Sequence, residues 1–286
     1  MKWPAKKIST SHGATNTKLI LRHRFLTRVT HWSWAICLFF LLLSGLQIFN
    51  AHPVLYIGDQ SGFDFSNRIL EIGANYKTGT GFIDLFGIRL DTTGFLGISK
   101  TNGFDSARAF PAWLTLPSGQ DLAGGRRVHF FFAWFFVFTL LIWLVSGLVN
   151  GHIRKDLIPG GQDLRSLKAD FLNHIKLKFY HTAQYVSIQK LTYGIILFVV
   201  FPIIILSGLA MSPGFNAIFP GITEIFGGRQ TARTVHFLFM FILSGFFIIH
   251  MIMILAAGPI NLVRSIVTGR YRIEASPKST GGSSDE

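Results

Sequence analysis

The chain has 286 residues and a formal net charge of +13, yet 49% of its residues are apolar, 29 are Phe and only 14% are charged. A basic nucleic-acid binder carries its charge on a polar surface, and this composition excludes that class. The apolar residues are gathered into long runs rather than amphipathic stripes, which excludes an ordinary soluble core.

Four runs are long enough to cross about 30 Å of hydrocarbon at 1.5 Å per residue. They lie at about 29–49, 128–150, 191–211 and 235–257, each almost free of Asp, Glu, Lys and Arg. The reading is an all-α integral membrane protein: a four-helix transmembrane bundle over 29–257, with a long extracytoplasmic loop between helices 1 and 2. The first run, preceded by the basic segment 1–28, exceeds the apolar region of a signal peptide. Residues 47–52 offer no Ala-x-Ala-like cleavage site, so the run is read as a retained helix. It contains Cys37, the sole cysteine, so the chain has neither an internal disulfide nor Cys ligands for covalent haem or an iron–sulfur cluster.

Basic residues near span ends stay on the cytoplasmic side. Segments 1–28, 151–190 and 258–286 together hold eighteen Lys/Arg against six acids, whereas 50–127 and 212–234 hold nine against eight. Both termini are therefore placed in the cytoplasm, and 50–127 is placed outside. That outer loop has twelve Gly and scattered aromatics, among them Tyr56, Phe63, Phe65, Tyr76, Phe82 and Trp113. Turns and short strands or helices capping the bundle are expected, as a lid without a partner or as a docking surface. A short interfacial helix is expected at about 164–179. The C-terminal tail 258–286 is read as disordered from about 275. A Ser-Gly pair recurs in every span, at Ser44-Gly45, Ser146-Gly147, Ser207-Gly208 and Ser244-Gly245, for which close helix approach is a sufficient reason.

Ionisable residues inside spans mark functional sites. In the fourth span, fourteen residues separate His236 from His250, four full turns at the 3.5-residue period of a left-handed bundle. The two side chains share a face about 21 Å apart. Depth sorts their partners: His236 and His129 each lie about 15 Å toward the outside of their spans. His250 lies about 6 Å and His31 about 12 Å to the cytoplasmic side, a difference of about one turn that helix tilt absorbs. His23 falls about 24 Å from the centre, beyond the hydrocarbon. His12, His52, His152, His174 and His181 lie in flanks or loops.

Two imidazoles per site suit a six-coordinate haem iron built for electron transfer, an apolar disc whose propionates favour cations at the rim. Arg126, Arg127 and Arg233 flank the outer pair, with interfacial anchoring as the other reading. Arg28, beside the inner pair, is read as an anchor. Gly45, fourteen residues after His31, would let a haem plane lie against the first helix, although packing also accounts for it. Histidines that hydrogen-bond or relay protons in a haem-free transporter or scaffold are the alternative.

These residues carry a resemblance. The chain resembles the di-haem bacterial cytochrome b family that includes membrane subunits of nickel–iron hydrogenases, formate dehydrogenases and thiosulfate reductases. The resemblance rests on Arg28-x-x-His31-Trp32 and Ser44-Gly45 in the first span and on Gly125-Arg-Arg-x-His129 in the second. Thr231-x-Arg233-x-x-His236 with His250 carries it in the fourth. The stretches 112–121 and 189–213 look closest to the thiosulfate-reductase-like, molybdoenzyme-associated branch. The resemblance implies two non-covalent b-type haems with His31, His129, His236 and His250 on iron. It further implies a subunit of the bacterial cytoplasmic (inner) membrane that relays electrons between menaquinone or ubiquinone and an extracytoplasmic molybdoenzyme or iron–sulfur subunit, which it anchors. A quinone site is implied near the cytoplasmic face, where Gln189, Lys190, Tyr193 and His181 supply polar groups; interfacial anchoring explains them equally. A self-contained cytochrome b passing electrons from quinol to a small oxidant is the alternative within this chemistry.

Overall fold

The computed structural model describes residues 17–62, 66–151, 153–158, 160–175 and 187–274. Four helical stretches in it are long and apolar enough to cross a membrane: Phe25–Phe49 (α1), Leu122–Val149 (α2), Ser187–Met211 and Arg229–Ala256 (α8). The third span is composite, with α4 (Ser187–Ile195) and α5 (Phe201–Met211) joined by a π-helical turn at Ile196–Val200. Pro202 lies in the first turn of α5 and lacks an N–H, and the wide turn just before it is where the helical ladder adjusts.

The spans begin four to six residues earlier than the apolar runs, because polar first turns extend them beyond the hydrocarbon. Asp121, for example, caps α2 by accepting from the Gly124 backbone N–H at 2.8 Å. The outward faces are apolar: Phe131, Trp134, Phe138, Phe247, Ile249 and Leu255 are all exposed. Water would penalise such a surface, whereas lipid accepts it.

The bundle is made of two packed pairs, α1 with α2 and α5 with α8. At its centre Cys37, Phe136, Ile196, Val200, Phe201 and Leu243 form the core. Trp34 meets Phe136, Phe201 and Trp143 edge-on, and its indole N–H donates to Thr139 Oγ1 at 3.2 Å.

The all-α expectation is corrected at both ends of the bundle. Between the first two spans lie β2 (Val54–Tyr56), β3 (Arg68–Asn75), β4 (Thr80–Leu85) and β5 (Ile88–Asp91), forming an antiparallel sheet in the order β2-β3-β4-β5. β6 (Gly97–Thr101) and β7 (Phe104–Arg108) pair separately. Two-residue turns with positive φ close two of these hairpins, Phe86-Gly87 and Asn102-Gly103. Asn-Gly is the strongest short hairpin signal, and the sequence reading passed over it.

A further pair of strands stands at the other end of the bundle. After the fourth span, α9 (Pro259–Thr268) starts with Pro in its first turn and stops at Gly269, in the left-handed region. It leads into β8 (Arg270–Glu274), antiparallel to β1 (Thr17–Leu21). A helix, α3 (Gly161–Ile175), covers most of the stretch where the interfacial helix is expected. His12, His152, His181, residues 63–65, the end of the expected interfacial helix and the tail from 275 lie outside the described residues.

Candidate functional site

The four span histidines gather into two pairs. The ring centroids of His129 and His236 are 6.3 Å apart at 63°, and those of His31 and His250 are 6.5 Å apart at 51°. The first pair lies toward the sheets, the second toward the end that carries β1 and β8.

What orients the first pair is a repeat in the odd-numbered spans. Leu41-Leu-Leu-Ser44-Gly45-Leu46 in α1 corresponds to Ile204-Ile-Leu-Ser207-Gly208-Leu209 in α5. Ser44 Oγ lies 3.1 Å from His129 Nδ1, and Ser207 Oγ lies 3.2 Å from His236 Nδ1. The Ile204 carbonyl is 2.9 Å from His236 Nδ1, and the Leu41 backbone lies beside the His129 imidazole. A carbonyl oxygen only accepts, so His236 Nδ1 carries the proton; the Ser44 hydroxyl gives its own proton to the Phe40 carbonyl and accepts from His129 Nδ1, so each Nε2 keeps a bare lone pair. The glycines leave room for the rings: a Cβ at Gly45 would meet His129 Cε1 at 3.4 Å, and one at Gly208 would meet His236 Cε1 at 3.3 Å. Sequence reasoning left Ser207-Gly208 to helix packing and gave Gly45 to a haem plane or to packing, because a dipeptide on one helix does not name the side chain it meets on another. Gly45 therefore stands against a histidine of the second span.

Bare Nε2 atoms in facing pairs are metal ligands in waiting. Among the described residues no group of three or more His, Cys, Asp or Glu side chains could hold a metal ion. A two-point site suits a metal that brings its other ligands with it, as haem iron does. Iron held between two Nε2 atoms at about 2 Å each sets the ring centroids about 6.3 Å apart, so both pairs fit that group.

The arginines divide. Arg233 Nη1 donates to the Val54 carbonyl at 3.0 Å, and its Nη2 donates to the His52 carbonyl, which ties α8 to the strand-bearing segment. Thr231 Oγ1 accepts from the Gly58 N–H at 2.7 Å. The N–H groups of Arg229, Gln230 and Thr231, which no helical carbonyl serves, are taken up by the Asp59 carboxylate and the Gly58 carbonyl. Two polar members of the Thr231-x-Arg233-x-x-His236 motif thus secure the segment that caps the helix. Burial and the nearby Arg233 guanidinium lower the pKa of His52 below the ordinary histidine range. Arg126 and Arg127 are exposed, the former with its guanidinium 5.7 Å from the Phe130 ring centroid. Arg28 donates to the Val267 carbonyl at 2.9 Å, which ties α1 to α9.

Arg108 is a residue that sequence reasoning missed. It is buried, and among the described residues no carboxylate pairs with it. Its guanidinium donates to the Ser118 carbonyl at 2.7 Å, Gln47 Oε1 at 3.0 Å and Thr115 Oγ1 at 2.8 Å. Gln47 Nε2 donates onward to the Gly119 carbonyl at 2.7 Å. This clamp holds the start of the second span against α1, where Gly125 would place a Cβ 3.0 Å from Gln47 Cγ. Nothing in the sequence separates Arg108 from other loop arginines.

Of the candidate quinone residues, Lys190 is committed to Asp163, with its ammonium 3.0 Å from Oδ2. Tyr193 packs against Trp143, Ile153 and Leu157, and Gln189 occupies the same half-buried turn.

The chain belongs to the prokaryotic cytochrome b561 family, whose model matches residues 22–269. It is a membrane haem protein of electron transport. It is similar to a protein of Azospira oryzae described as "Putative protein-methionine-sulfoxide reductase subunit YedZ1", with 27% identity over 243 residues, which cover 84% of this chain and 92% of that protein. No solved structure matches the chain.

Proposed function

We propose that the chain is a two-haem b-type cytochrome that relays electrons between membrane quinone and an extracytoplasmic redox subunit, which it anchors. His129 with His236 hold one iron, and His31 with His250 hold the other. The observation that carries this reading is the His129/His236 pair, with both Nδ1 protons fixed and both Nε2 lone pairs left for a metal. A haem bound there supplies one-electron chemistry with little change in geometry. The helices hold the imidazoles at a set separation, and the apolar core excludes water from them.

Both termini face the cytoplasm, on the basic asymmetry of the sequence, so the sheet-bearing end faces outside. A partner there is supported by the name of the similar protein, a reductase subunit; that the partner is a molybdoenzyme rests on the resemblance of 112–121 and 189–213. Quinone is placed at the opposite end, beside Gln189 and Tyr193. The test is the reduced-minus-oxidised spectrum of the purified chain with a haem-to-protein ratio. Two haems per chain are expected, His236→Ala and His250→Ala each losing a different one. A colourless protein, or variants that keep both haems, would overturn the assignment.

A further inference from the structure

The two pairs differ in what holds the imidazole nitrogen turned away from the metal. Each Nδ1 of His129 and His236 meets a serine hydroxyl, and that of His236 also meets the Ile204 carbonyl. The hydroxyls are set to accept, because their own protons are spent on helix carbonyls: Ser44 Oγ donates to Phe40 at 2.6 Å and Ser207 Oγ to Ile204 at 3.1 Å. At the other pair, His31 Nδ1 is buried with no hydrogen-bond partner among the described residues. The neighbours of that pair are rings, with Trp32 edge-on to His31 and Phe246 stacked on His250.

We infer that Ser44 with Leu41, and Ser207 with Ile204, are positioning residues that make the His129/His236 site the harder one to reduce, so that the electron settles at the His31/His250 site. The inference rests on the two-haem reading above.

An imidazole that donates its Nδ1–H strongly gains imidazolate character, becomes a stronger σ-donor and favours ferric over ferrous iron. Within a span, where water does not compete, such bonds weigh more than at a surface. Cations do not separate the two sites, because they stand at both ends: Arg108 and Arg233 at one, Arg28 and Arg264 at the other. The Nδ1 partners do separate them. In the transfer, one electron leaves ferrous iron at the first site and reduces ferric iron at the second, with no bond made or broken and no proton moved. Polarity of flow thus follows from a six-residue repeat used twice on one pair and absent from the other.

The remaining Ser-Gly pairs provide an internal control. Ser244 Oγ donates to the Met240 carbonyl at 2.9 Å and Ser146 Oγ accepts from Asn150 at 3.1 Å, so neither reaches a histidine. The experiment is a spectroelectrochemical titration of the full haem-loaded chain. Two one-electron steps are expected, and S44A/S207A is expected to move the lower one upward. The ferric-to-ferrous ratio at fixed potential should fall about three- to tenfold, tenfold being 59 mV for one electron. The upper step and both steps of S146A/S244A should stay in place, and the step left in H250A should be the lower. Two haems with an unmoved lower step in S44A/S207A, or a moved upper step, overturn this inference alone. A chain that binds no haem overturns it together with the two-haem reading.

Discussion

Arg233 reaches out of the fourth span to the carbonyl of Val54, 3.0 Å away, one helical turn before His236. The cofactor site and the strand-bearing segment therefore share one rigid turn of helix. Replacing Arg233 with Ala removes two charge-assisted bonds to carbonyls and is expected to cost about 2–3 kcal/mol. The measurable outcome is faster proteolytic cleavage near residues 52–59 with the spans still intact. Equal cleavage in variant and parent would show that the guanidinium does not hold the layer.

Gly45 and Gly208 should tolerate little. A Cβ at either stands 3.3–3.4 Å from an imidazole carbon, so Ala forces the ring over by a few tenths of an ångström. The branched side chain of Val leaves the ring no place. G45V and G208V are expected to lose the haem at the His129/His236 site and keep the other, read as half the haem content. G245V is the control, since no atom lies within 4 Å of a Cβ at Gly245.

Arg108→Ala leaves Gln47 Oε1, Thr115 Oγ1 and the Ser118 carbonyl without their donor. The expected loss is about 3 kcal/mol, seen as a lower melting temperature in detergent. Met in its place should recover part of that loss by filling the volume, but none of the bonds.

The junction between α3 and the third span should respond to acid. The Gly160 N–H and then the Lys190 ammonium hold the Asp163 carboxyl below the usual carboxylate range. A depressed folded-state pKa gives stability that is present above the unfolded value of about 3.9 and is lost as pH falls through the folded one. Backbone exchange in Gly161–Ile175 is expected to rise below about pH 4 in the parent. In D163N it should be fast at every pH.

Much of the bundle was legible in the sequence, because a span is a matter of length and hydropathy. The histidine pairing is legible because the rise per residue is fixed: position alone matches His236 to His129, and their rings stand 6.3 Å apart. The pairing of His31 with His250 needed a turn of slack, and their rings meet at 6.5 Å. What escaped was whatever one helix says to another. Ser44 and Ser207 look like packing residues until the helix beside them is known. Short strands are expected in 50–127, but the sequence does not place them: β2 has three residues and β5 four, too short for alternation to stand out. Asn102-Gly103 was the one local signal that would have found a hairpin.

β1 and β8 carry a consequence for the order of assembly. Residues 17–21 leave the ribosome before any span, and their partners, residues 270–274, leave after all four. The first strand made must wait, unpaired, for the last. Arg28 waits with it for the Val267 carbonyl, as the Arg22 N–H does for the Gly269 carbonyl, 2.8 Å away. The seam between the two ends of the chain is thus a record of completion: it closes only when the fourth span is in place, and a chain halted earlier cannot form it.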